Sequence, residues 1–172
     1  MKNLVLFSLI FTLISCFGNK NEFGVLKIDA PKGSTFKEEV MKNGVHFYSI
    51  KWKLKNEMTS VFSISKWPVE MPNSEMAPSV KKIIENTLAV TKAQGKSKIE
   101  DDAKIQYKEI SEEFVSGNVA YFEHTSERGY QRILSVHMVS DGDVIWQGLF
   151  SGSKELFKEA MNIFKTMEPL NE

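Results

Sequence analysis

Three hydrophobic spacings divide the chain. Leu4 to Ile14 is an apolar run of about 11 residues, broken only by Ser8 and Thr12. As a helix it would span roughly 16 Å at 1.5 Å per residue. A bilayer's hydrocarbon core is about 30 Å thick, so the run fits the core of a signal peptide better than a permanent span. Further on, apolar residues alternate with polar ones, as strands with one wet face require. Leu26 and Ile28 start this pattern. Val45 to Leu54 continues it with Tyr48, Ile50, Trp52 and Leu54, and Thr59 to Trp67 with Phe62 and Ile64.

The spacing becomes helical after Pro72. Met76, Val80, Ile83, Ile84, Leu88 and Thr91 share one face, with Pro78 expected in the first turn and Gly95 as the stop. Strands return around Ile105–Tyr107, from Val119 after a Ser116-Gly117-Asn118 turn, over Tyr130 to Val139, and over Val144 to Phe150. Asp141-Gly142 is a hairpin turn. A last helix is predicted over Lys154 to Met167, capped by Ser153, with Leu156, Phe157, Ala160, Met161, Phe164 and Met167 on one stripe. The order is three strands, a helix, four strands and a helix. Short turns imply antiparallel pairing, and each helical stripe must be buried. The expected class is therefore α+β, an antiparallel sheet packed by helices.

The N-terminal run is preceded by Lys2 and ends Leu13-Ile14-Ser15-Cys16. This resembles the bacterial lipobox: an apolar residue, a tolerant position, a small residue and a cysteine whose thiol takes diacylglycerol as a thioether. Cys16 is the only cysteine of the 172-residue chain, so it has no internal disulfide partner. The division that follows is a signal peptide over 1–15, lipidated Cys16 with a tether over 16–24, and one domain over 25–170. Two or more acyl chains hold a protein stably at a bilayer, at about 0.8 kcal/mol per buried methylene. The expected location is the bacterial cell envelope, tethered by lipid. Phe17 stands where enteric lipoproteins kept at the inner membrane carry Asp, which favours the outer membrane.

Composition narrows function by exclusion. Lys and Arg total 22 and Asp and Glu total 22, without the basic excess that phosphate neutralisation brings, so nucleic acid is not an expected partner. The three histidines, His46, His124 and His137, fall on separate predicted strands. Glu123 and His124 are adjacent and point to opposite faces. No helical His pair or cysteine set has zinc spacing, and Glu100-Asp101-Asp102 lacks the spaced oxygens of a calcium loop. No serine stands in a nucleophile elbow. Ser151-Gly152-Ser153 before the last helix could take an anion, though a plain helix start is the simpler reading. Catalytic residues, metal and cofactor are all expected to be absent. Trp52, Trp67, Trp146, Phe47, Tyr48, Tyr121 and Tyr130 concentrate in strands. Most should be core, and any subset exposed together would mark a protein-binding face.

The element order, the Ala30-Pro31 turn after the first strand and the closing unit Ile145-Trp146-Gln147-Gly148-Leu149-Phe150 plus Phe157 to Met167 resemble the PsbP-like superfamily. That resemblance implies an α/β/α sandwich and a binding or assembly role, and no functional residue carries over by motif. The expectation is a non-enzymatic lipoprotein that binds a protein partner or helps an envelope complex assemble. The alternative is a ligand carrier or enzyme with a pocket between sheet and helix.

Overall fold

The computed structural model describes residues 20–23, 26–41, 45–53, 59–67, 71–95, 97–100, 103–142 and 144–169. Segment 1–15 and Cys16 lie outside them. In chain order the strands are β1 (Lys20–Phe23), β2 (Leu26–Asp29), β3 (Thr35–Val40), β4 (His46–Trp52) and β5 (Ser60–Trp67). Helix α1 (Asn73–Gln94) follows. Then come β6 (Ser97–Lys98), β7 (Gln106–Ser111), β8 (Ser116–Ser126), β9 (Gln131–Ser140) and β10 (Ile145–Ser153). A 3-10 turn over Lys154–Leu156 leads into α2 (Phe157–Lys165), and β11 (Glu168–Pro169) closes the chain. The larger sheet has the order β3-β4-β5-β10-β9-β8-β6, with β7 also on β8. β1, β2 and β11 form a smaller one. All pairings are antiparallel.

The expected α+β sandwich, a PsbP-like α/β/α arrangement, is overturned. The chain is mostly antiparallel sheet curled into a half-barrel, not a sheet layered between helices. The cause is the length of β8, β9 and β10, which run 11, 10 and 9 residues through short turns. Long antiparallel strands accumulate twist and curl as they add up. The two α-helices each fill one part of a face and form no layer of their own.

The centre of the sheet is buried on both sides. In β8, Val119 and Tyr121 join one core, while Ala120 and Phe122 join the other. β9 divides likewise, with Ile133 and Val139 on the first side and Val136 and Met138 on the second. Strands committed on both faces read as near-continuous apolar runs, as Val119–Phe122 does. Met76, Val80 and Ile84 of α1 complete the second core. On the first side, Phe157, Ala160, Ile163 and Phe164 of α2 pack with Phe62, Trp146 and Phe150. Gly148 permits this approach, because a Cβ there would stand 2.2 Å from the Phe164 ring and 3.0 Å from that of Phe62.

Several local expectations are corrected. Residues 20–23, read as tether, pair with β2. β3 was not apparent because Phe36 and Val40 flank Lys37, Glu38 and Glu39, the charged pattern that protects an edge strand. Ser116–Asn118 is strand, and the turn lies earlier, closed by Glu112 N–H donating to the Val115 carbonyl at 3.0 Å. Gly117 is required because a Cβ would meet the Met138 backbone. Pro78 sits inside α1, not in its first turn. Ser153 caps nothing through its side chain; it ends β10, and its N–H donates to Ser60 Oγ at 3.0 Å.

Two substitutions measure this packing. Trp146→Ala should cost about 3–5 kcal/mol, since the indole is 1% exposed. Gly148→Ala should cost about 1–3 kcal/mol by overpacking. Urea denaturation reads both, and a wild-type midpoint in either variant contradicts the packing described.

Candidate functional site

Three regions outside the core carry chemistry. One cavity, of about 470 Å³, lies between the turn after β2, the end of β4 and α2. Trp52 forms part of its wall, and its indole N–H donates to Glu159 Oε2 at 3.0 Å. Asp29, Lys32, Lys53, Lys158 and Asn162 also line it. This is a pocket between sheet and helix, with charges of both signs. It holds no histidine or hydroxyl nucleophile among its lining residues.

The second region is the part of the sheet beside α1. Leu149 is 42% exposed and Trp67 39% exposed. The Trp67 indole N–H donates to Ser65 Oγ at 3.0 Å. Of the aromatics singled out from sequence, Trp52, Trp146, Tyr48 and Tyr121 are buried, Phe47 and Tyr130 are half-buried, and Trp67 alone is exposed.

The histidines stay apart in role. His46 is half-buried near the β3 edge, with Nδ1 3.3 Å from Glu38 Oε1. His137 is fully buried, stacked on Phe164 at 4.8 Å between centroids and edge-on to Phe62. Its Nε2 lies 2.7 Å from Ser135 Oγ, while Nδ1 has no partner. Burial pushes its pKa down to about 3, so the ring is a neutral core member. His124 is also buried, yet it reaches two clefts near the β6 end of the sheet. Burial, and then the Arg132 guanidinium, lower its pKa. Arg132 escaped the sequence reading. The signal was register: the Glu127-Arg128-Gly129 turn sets Arg132 directly across from His124.

Ser151 and Ser153 belong to β10 and form no separate anion loop. Asp101 and Asp102 lie outside the described residues. Among those described, no three His, Cys, Asp or Glu side chains are grouped to hold a metal ion, and no helix is long and apolar enough to cross a membrane.

No protein-family model matches the sequence, and neither does any curated protein. The fold is similar to a crystal structure of a protein from Bacteroides thetaiotaomicron VPI-5482. The two share 13% identity with a TM-score of 0.51 over 91% of this chain. The match covers 50% of that chain, so this chain spans about half its length. At that identity the likeness concerns the fold alone.

The buried histidine makes stability depend on acid. With a folded pKa near 3 and an unfolded value near 6.5, the unfolded chain takes the proton first as pH falls. Stability is full above about pH 6.5 and declines toward pH 3, by up to about 1.4 kcal/mol per pH unit from this group. His137→Phe should flatten that part of the pH profile of unfolding free energy. An unchanged slope would show that His137 titrates normally.

Proposed function

We propose that this chain is a lipid-anchored protein of the bacterial cell envelope whose domain binds a partner rather than catalysing a reaction. The observation that carries the proposal is the Leu13-Ile14-Ser15-Cys16 box at the end of an apolar run, with the chain's single cysteine at the lipidated position. The tether is short. β1 begins at Lys20, which leaves only a few residues between the lipid and the first strand and holds the domain close to the bilayer.

The binding reading is supported by where the polar chemistry lies. His137 is enclosed in the core and His46 sits by an edge strand, while His124, which borders an open cleft, stands across from Arg132 in register. Trp67 and Leu149 offer apolar surface for a protein partner. The cavity beside Trp52 and Glu159 supports a second reading, a carrier of a small polar ligand.

Cys16→Ser tests the anchor. The wild-type chain should incorporate labelled palmitate in its host and appear in a processed form. The variant should lose both the label and the processed form, and retention of either contradicts the anchor. Trp67→Ala tests the surface. It should reduce in-membrane crosslinking to a protein partner while the domain still folds, because Trp67 is 39% exposed and belongs to neither core. Unchanged crosslinking removes Trp67 from the interface.

A further inference from the structure

The end of the sheet beyond α1 has an unusual chemical composition. α1 stops at Gln94 with Gly95 in the left-handed conformation at φ 64°, and β6 takes up pairing with β8 at Thr125 and Ser126. β7 pairs with β8 only as far as Tyr121. Among the described residues, no strand therefore covers that side of β8 from Phe122 to His124. The apolar contacts that α1 makes with Phe122 and Val136 give way here to His124 on β8 and Arg132 on β9.

His124 is 8% exposed, and neither of its ring nitrogens has a hydrogen-bond partner. Native proteins rarely leave buried polar atoms so, because each forfeits the hydrogen bond it had with water. The ring borders an open cleft of about 380 Å³. Arg132 lies across from it in register and is 8% exposed, its guanidinium donating to the Ser151 carbonyl at 3.2 Å. Arg128, Ser97, Ser126 and Ser151 border the same cleft, with Glu127 as its single acidic residue. Two arginines, a histidine and three serines thus border one space, with the His124 ring nitrogens just beneath its surface. Burial and then the Arg132 guanidinium favour the neutral form of His124, in which one nitrogen can donate a hydrogen bond.

We infer that this cleft is a binding site for an oxyanion, the phosphate or carboxylate group of a small molecule, with His124 and Arg132 as inner donors and Arg128 at the mouth. Planar guanidinium groups match the spacing of carboxylate and phosphate oxygens, and the bound group would supply the unpartnered imidazole with an acceptor. Glu127 disfavours a second negative charge near the mouth, which selects a compact anion over a polyanionic surface.

The test is an NMR titration of the His124 imidazole in the full chain, held in detergent micelles, against inorganic phosphate and against acetate. Chloride at matched ionic strength is the control. Phosphate, acetate or both should shift the His124 ring signals saturably where chloride does not, and the stronger of the two identifies the ligand class. Arg128→Gln, an exposed position that leaves the sheet intact, should weaken that binding by roughly tenfold, the loss of one charge-assisted hydrogen bond. His124→Phe should abolish the saturable change, followed through the backbone amide of Thr125. An absence of saturable shifts with both anions, shifts that chloride reproduces, or full affinity in Arg128→Gln would each overturn the assignment.

Discussion

The domain depends on the docking of α2 against the sheet through Phe164. Its ring occupies the space that Gly148 leaves open and meets Phe62 edge-on at 5.1 Å. It also lies parallel to His137, with 9° between the planes. Burying such a ring contributes roughly 1.5–3 kcal/mol, and it also determines what the neighbouring positions tolerate. No side chain larger than hydrogen fits at 148. An imidazole at 137 must remain neutral. The last helix is brought close enough for Glu159 to accept the Trp52 indole N–H, so the cavity beside Trp52 owes part of its wall to the same contact.

The opposite face obeys a second constraint, the length of α1. The helix covers the middle of β8 and β9 and ends at a left-handed glycine. Where it ends, the sheet residues on that face change from Phe122 and Val136 to His124 and Arg132. The polar cleft is thus the part of a doubly covered sheet that its helix fails to reach. The pairing gap between β6 and β7 opens it further, and β3, β4 and β5 stand on the far side of the sheet order from it.

Much of this was legible in the sequence. Alternation located β4 and β5, helical spacing located the stripe of α1 and most of that of α2, though with Met161 in place of Ile163, and Gly95 marked the stop of α1. The half-barrel was not legible, and a sandwich was expected in its place, because an amphipathic stripe shows that a helix must be buried and leaves open how much of a sheet it covers. β3 hid behind the charges of an edge strand. Ser116-Gly117-Asn118 had turn composition, yet Gly117 serves close strand packing against Met138. The site was half legible. His124 stood out by type, but its relation to Arg132 depends on hairpin register, which no local pattern of residue types displays.

On the proposed reading, a lipid on Cys16 would hold this curled antiparallel sheet near a bilayer. The most direct measurement is the intact mass of the protein extracted from its own membranes, with its N-terminal peptide fragmented. The account predicts a mature chain beginning at Cys16 whose mass exceeds that of the polypeptide by a diacylglycerol group, with or without a further acyl chain. A chain that still begins at Met1, or one that carries an unmodified Cys16, would contradict it.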